Sequence, residues 1–260
     1  MQGGIVLHVD LQPNADETLD CILGGTIHLL QSRSGYRTAI DAPLLAWFAA
    51  QHAPDAEQAL DLGAGSGLVS LVLARALPHV QIDLLDKQPA MLDRARRNAR
   101  LNAVDRRFAF LHADVADLTL PARYDLVLCN PPYRRRDHGH PPASSERQIA
   151  HQESTATLRQ FCHAAVAVLN PTGRSCWVFP AHDASRLLED LLAVGLGDRS
   201  VMRVFHRPND AQPNRILVCA RPGVARLHDL PVRAIHLQDQ PDRVFQPDLA
   251  AFFASLAEPE

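Results

Sequence analysis

No excess charge of either sign, no paired cysteines and no long apolar run marks this chain. Its 26 Lys plus Arg nearly balance 29 Asp plus Glu, for a formal net charge of -3. There is therefore no global pull toward nucleic acid or membrane, and any polyanion would have to be held by a local patch. The cysteines Cys21, Cys129, Cys162, Cys176 and Cys219 are odd in number and scattered, with no CxxC spacing. That disfavours a disulfide framework or a zinc site and predicts reduced core thiols in a cytoplasmic protein. No apolar stretch reaches the ~20 residues that span a bilayer. The first residues carry Asp10, Asp16, Glu17 and Asp20 and lack the basic-then-apolar pattern of a signal peptide. No internal repeat or long low-complexity segment is evident.

What the chain has is material for one substantial core: 260 residues, 47% of them hydrophobic. Ile27 to Gln31 predicts a short strand with Gly35 as the turn of a small hairpin. Asp41 predicts an N-cap, with Pro43 in the first turn of an apolar helix running to Ala50. Gln58 to Leu62, Gln81 to Asp86, Phe108 to Leu111, Tyr124 to Cys129 and Ser175 to Phe179 read as strands. Helices are expected after the first two of these, over about 68–77 and 89–102, and again at 158–169, where Asn170-Pro171-Thr172-Gly173 should end the helix. A helix over 184–193, an antiparallel pair near 201–205 and 216–220, and a final helix over 249–256 complete the pattern. Alternating strands and helices of this kind argue for a Rossmann-like doubly wound α/β fold with a mostly parallel sheet of about seven strands. Residues 1–50 are expected to form an extension packed on a core of residues 51–260.

Four strand ends carry chemistry. Gly63-Ala64-Gly65-Ser66-Gly67 follows the first core strand and leads into a helix, so backbone can pass close to a ligand. The spacing is GxGxG, not the GxGxxG of dinucleotide enzymes, and Asp61 just before it suits a cationic or hydroxyl-bearing ligand. Asp86, at the tip of the next strand, can accept hydrogen bonds from a ribose diol, and Asp114 those of an adenine amine. Asn130-Pro131-Pro132-Tyr133 closes the Tyr124 to Cys129 strand. The Asn130 carboxamide and the Pro131 carbonyl can accept from an NH2 group, the prolines stiffen the loop, and Tyr133 offers a stacking face. Beyond lie Arg134-Arg135-Arg136 and a long polar connection. His138 and His140 have no further residue at ligand spacing, so no metal is expected. The basic helix with Arg94, Arg96, Arg97 and Arg100 reads as a solvated face.

The glycine turn, Asp86, Asp114 and Asn130-Pro131-Pro132-Tyr133, in this order and spacing, resemble class I S-adenosylmethionine-dependent methyltransferases. The NPPY form resembles the branch that methylates adenine exocyclic nitrogens or glutamine amides. Gln31 with Gly35-Tyr36-Arg37, Asp41 to Ala46, and Arg147-Gln148-Ile149-Ala150-His151-Gln152-Glu153 look like the bacterial tRNA1(Val) adenine-N6 methyltransferases, though Gln152 departs from the family's usual Arg-His-Glu ending. The resemblance covers about Thr18 to Ala220. It implies S-adenosylmethionine as cofactor, with S-adenosylhomocysteine as product. It places Asp61, Gly63, Ala64, Gly65, Gly67, Asp86, Lys87, Asp114, Asn130, Tyr36 and Asp41 on the cofactor side.

The expected reaction is methyl transfer to adenine N6 in tRNA or another structured RNA, with Asn130, Pro131, Pro132 and Tyr133 as catalytic loop. Arg134, Arg135, Arg136 and Arg147, with the arginines of the 94–107 region, are the expected phosphate contacts. A ribosomal RNA base or a protein glutamine amide is the alternative substrate, and a non-catalytic cofactor- or RNA-binding module the alternative of another class. The oligomeric state is left open.

Overall fold

A computed structural model describes residues 11–34, 40–132, 156–237 and 244–257. The chain opens with β1 (Glu17–Ile22) and β2 (Ile27–Ser32), antiparallel with Ile22 opposite Ile27. Their turn is the 3-10 segment Leu23–Gly25, where Leu23, Gly24 and Gly25 all have positive φ. The expected turn at Gly35 lies outside the described residues; the hairpin closes earlier because the tandem glycines tolerate that backbone.

Next come α1 (Asp41–His52), β3 (Gln58–Leu62), α2 (Leu68–Ala76), β4 (Gln81–Asp86), α3 (Pro89–Leu101) and β5 (Phe108–His112). They are followed by β6 (Tyr124–Cys129), α4 (Leu158–Val168), β7 (Leu169–Pro180), α5 (Ala184–Ala193), β8 (Leu196–Phe205) and β9 (Arg215–Arg221). The edge strands β10 (Gly223–Asp229) and β11 (Arg233–Ala234) precede α6 (Pro247–Ser255). One sheet runs in the order β10-β8-β9-β7-β6-β3-β4-β5, with β11 also on β8. The pairs β3–β4, β3–β6, β4–β5 and β6–β7 are parallel, while β9 runs antiparallel between β7 and β8, as the sequence predicted.

Among the described residues the sheet has nine strands, not about seven. All seven residues of β10 are exposed, so the strand lacks the apolar face that makes a strand visible in sequence. Two local expectations are also corrected. Asp41 is the first residue of α1 and Ile40 the N-cap, with no side-chain cap; the Asp41 carboxylate is instead taken by Arg215, whose Nε lies 3.1 and 3.0 Å from its two oxygens. Asn170 to Gly173 do not sit between elements but inside β7, where the register against β6 jumps from Tyr124↔Leu169 to Leu126↔Arg174. That bulge is held by Asn170 Nδ2 donating to Asp125 Oδ1 at 2.5 Å.

Helices cover both sheet faces. Leu44, Leu45, Phe48, Leu71 and Val72 of α1 and α2 share one core cluster with Ile82 and Leu128. Phe161, Ala165 and Leu187 of α4 and α5 share the other with Leu60, Val127 and Trp177. Four of the five cysteines are buried, Cys21 is exposed, and all five are free thiols.

The hairpin is attached through α3 by polar contacts. Asn98 Oδ1 accepts from Leu30 N at 2.7 Å while its Nδ2 donates to Leu30 O at 3.1 Å. One turn on, Asn102 does the same for His28, at 3.0 and 2.7 Å. The two carboxamides stand in for a missing neighbouring strand and satisfy alternate residues of β2. Arg94 and Arg97, expected on a solvated face or on phosphate, are 5% and 8% exposed and converge on Glu17, itself 1% exposed. The contacts are Arg94 Nε to Oε1 at 2.7 Å and Arg97 Nη2 and Nη1 to Oε1 and Oε2 at 2.6 and 2.8 Å. These arginines bind the chain's own hairpin because Glu17 on β1 supplies the counter-charge; they are not a phosphate surface.

Candidate functional site

The parallel register lines up the strand ends. Leu62 pairs with Cys129 on one side and Leu85 on the other, and Asp86 pairs with His112. The residues that follow, Asn130, Gly63 and Asp86, therefore stand side by side on neighbouring strands, with the β5 end next in the row. At ~4.8 Å per strand the row from Asn130 to the β5 end spans about 14 Å, room for an elongated ligand.

The glycine turn is built into that row. The N–H groups of Gly63 and Ala64 both donate to the Leu85 carbonyl, at 2.8 and 2.9 Å, which lays the turn across the end of β4. Gly67 has φ +83, and a Cβ there would lie 3.0 Å from Leu84 Cδ2 and 3.3 Å from Ala95 Cβ, so only glycine fits between α2, β4 and α3. A Cβ on Gly63 would meet the Phe161 ring of α4 at 3.3 Å, whereas one on Gly65 would point into open space. Phe161 thus backs the turn from the far side. Sequence reasoning missed it, since one aromatic in an apolar helix carries no signal of what it touches. The Ser66 carbonyl is held by Asn98 Nδ2 at 2.9 Å, which joins the turn to the hairpin anchor.

Two carboxyl groups flank the turn. Asp86 accepts from Gly65 N through Oδ2 and from Gln88 N through Oδ1, both at 2.9 Å. Burial raises its pKa against the pull of those N–H groups. Asp61 is 1% exposed and accepts from Ser70 Oγ at 2.7 Å. Burial, opposed by Ser70 and reinforced by Asp86, pushes its carboxyl up to about 7. Gly67 caps α2 with no side chain, so the Asp61 carboxylate also answers the first-turn N–H of Ser70.

The other expected residues are placed as follows. Asn130 is half-buried, Pro131 buried and Pro132 exposed at the end of β6. Asp114 caps the 3-10 turn Val115–Asp117, with Oδ1 accepting from Ala116 N at 2.9 Å. Lys87 follows Asp86, and its carbonyl lies 3.1 Å from His112 Nε2. Asp41 is engaged by Arg215, the first residue of β9. Tyr36, Tyr133, Arg134, Arg135, Arg136, Arg147, His138 and His140 lie outside the described residues.

A turn open above Gly65, a buried carboxyl with no ion pair among the described residues and a second at the strand tip fit a cationic, diol-bearing nucleoside. The family model for the methyltransferase small domain matches residues 42–194, from α1 to the end of α5, and includes the whole row. The chain belongs to this family. It is a methyltransferase with S-adenosylmethionine as cofactor. Among proteins similar to it, the tRNA1(Val) (adenine(37)-N6)-methyltransferase of Erwinia tasmaniensis is 31% identical over 195 residues, 73% of this chain and 76% of that protein. The protein of the same name from Dyadobacter fermentans is 27% identical over 189 residues, 72% of this chain and 76% of its own length. Among solved structures, a "predicted O-methyltransferase" of Agrobacterium tumefaciens superposes with a TM-score of 0.65 at 21% identity, covering 84% of this chain and 97% of that one. At that identity the likeness speaks for the fold alone.

Proposed function

We propose that this methyltransferase small-domain protein methylates the exocyclic N6 amine of an adenine in tRNA. The observation that carries the reading is the position of Asn130-Pro131 at the end of β6, one strand from the glycine turn. The names of the relatives supply the substrate class. When bound, S-adenosylmethionine supplies an electrophilic methyl group on a sulfonium.

The chain's own residues then have separate tasks. Asp61 and the Gly63–Gly67 turn face the cationic end of the cofactor, Asp86 its ribose hydroxyls and Asp114 its adenine. Asn130 Oδ1 and the Pro131 carbonyl accept hydrogen bonds from the substrate NH2. Those bonds favour a pyramidal nitrogen whose lone pair, otherwise delocalised into the ring, is aimed at the methyl carbon. The gain is orientation and preorganised electrostatics, with no strong base required. Tyr133 stacks on the extruded base, and Arg134, Arg135, Arg136 and Arg147 meet RNA phosphates. The compartment is the cytoplasm; no helix among the described residues is long and apolar enough to cross a membrane.

The test is incubation with labelled S-adenosylmethionine and tRNA lacking its modifications, followed by nucleoside mass spectrometry. N6-methyladenosine is expected. Label recovered only in protein would replace this reading with glutamine-amide methylation. Asn130→Ala should lower turnover by at least ~100-fold with cofactor affinity nearly unchanged, because the lost contact acts on the reacting amine.

A further inference from the structure

Among the described residues, the groups that act on Asp61 are the side chain and backbone N–H of Ser70 from α2, Asp86 from β4 and the Cys129 thiol from β6. None is cationic. Lys87 acts on Asp86, and His112 is exposed two strands away, bonded to a carbonyl. A carboxylate so deeply buried without a counter-charge is costly, so in the unliganded protein Asp61 favours its protonated form. Ser70 opposes this, through its backbone N–H and above all through its hydroxyl, which donates to Asp61 Oδ2 at 2.7 Å from the third residue of α2. A donor of this kind stabilises the charged form and fixes which way the carboxylate points.

We propose that Ser70 is a positioning residue for cofactor capture: it holds Asp61 against the glycine turn and sets the pH at which Asp61 yields its proton as the cationic methyl donor binds. The inference rests on the cofactor reading above. The proton leaves the Asp61 carboxyl for solvent, the carboxylate keeps the Ser70 hydrogen bond, and the ligand's positive charge becomes the missing counter-ion. Burial and the nearby Asp86 carboxyl push Asp61 up to about 7, so the exchange falls within the physiological range. Ser70 is 0% exposed and reaches the site only through its hydrogen bond to Asp61 Oδ2 among the described contacts.

The experiment is calorimetric titration of the full chain with S-adenosylmethionine, in buffers of different ionisation enthalpy, from about pH 5 to about pH 7. Wild type should release close to one proton per cofactor at the acid end, with affinity rising about tenfold per pH unit toward 7. Asp61→Asn should remove that component. Ser70→Ala should move the midpoint upward, so that binding weakens by roughly tenfold near pH 6 and converges on wild type at higher pH. Ser70→Thr, which keeps the hydroxyl, should restore the wild-type profile, and Ser70→Cys, a weaker donor of similar size, should fall between; this pair serves if the alanine variant does not fold. A pH-flat affinity in wild type, or a Ser70→Ala deficit equal at every pH that threonine does not repair, would overturn the proposal. No binding of S-adenosylmethionine at any pH would overturn the cofactor reading instead.

Discussion

Asn98 carries more of the architecture than any residue singled out from sequence. It is 0% exposed and bonds the Leu30 N–H, the Leu30 carbonyl and the Ser66 carbonyl, linking hairpin, helix and glycine turn. An asparagine inside a helix is an unremarkable letter, and nothing in its spacing predicts that its carboxamide replaces a strand. Asn98→Leu fills the same space but leaves two buried polar groups of Leu30 and the half-buried Ser66 carbonyl without their partner. It should cost about 3 kcal/mol, read as a lower midpoint in urea, and should also weaken cofactor binding through the loosened Ser66 carbonyl. The place of Asp61 and Asp86 beside the glycine turn, by contrast, was legible one residue at a time, because Asp61 stands just before the turn and Asp86 ends the next strand. Their burial and the Ser70 contact were not legible, since both depend on where α2 lands.

At the scale of elements, the hairpin β1–β2 depends on the Glu17 cluster. Burial alone would raise the Glu17 carboxyl, but hydrogen bonds from Arg97, the Asn14 N–H and Arg94 outweigh it and hold the pKa at about 2 instead of 4.5. The folded pKa lies below the unfolded one, so this contribution is complete above about pH 4.5 and is lost as pH falls toward 2. The shift corresponds to up to ~3 kcal/mol. Glu17→Gln should remove this acid sensitivity and leave the two buried arginines with only the exposed Asp93 and Asp16 carboxylates as counter-charges. Hydrogen exchange at the β1 and β2 amides should then speed up well before that of β3 or β6. The sequence reading took the arginines of α3 for a solvated face because four of them on one helix look alike. Only the approach of β1 separates Arg94 and Arg97, which are buried, from Arg96 and Arg100, which remain exposed.

For the whole molecule, Asp61 works against Glu17 in its pH dependence. Its folded pKa of about 7 lies above the ordinary aspartate value of 3.8, so the folded chain holds that proton longer. Stability from this group is full below about 3.8 and declines as pH rises toward 7. The decline is at most ~4 kcal/mol. Thermal unfolding of the cofactor-free protein should therefore peak on the mildly acid side, and Asp61→Asn should flatten the fall toward neutrality; an unchanged slope in that variant would refute the assignment. At the sheet edge, Leu227 of β10 is 52% exposed, so Leu227→Lys should change stability by no more than ~0.5 kcal/mol in chemical denaturation.

The sequence by itself determined the order of strands and helices, the parallel sheet with its antiparallel last pair, and the motifs that mark a methyltransferase. Apolar runs, turn glycines and the Asn-Pro-Pro break act through short-range rules that each segment obeys alone. Tertiary structure decided which arginines are buried, that Asp41 is engaged by Arg215, that Phe161 backs the glycine turn, and that β10 and β11 extend the sheet to nine strands. Those outcomes depend on contacts between residues far apart in the chain, such as Glu17 with Arg97 and Asp41 with Arg215, and local pattern carries no information about which distant charge arrives. Asn130 stands on both sides of that division. Its side chain announced an amine, while its place one strand from the glycine turn came from the register of β3 against β6.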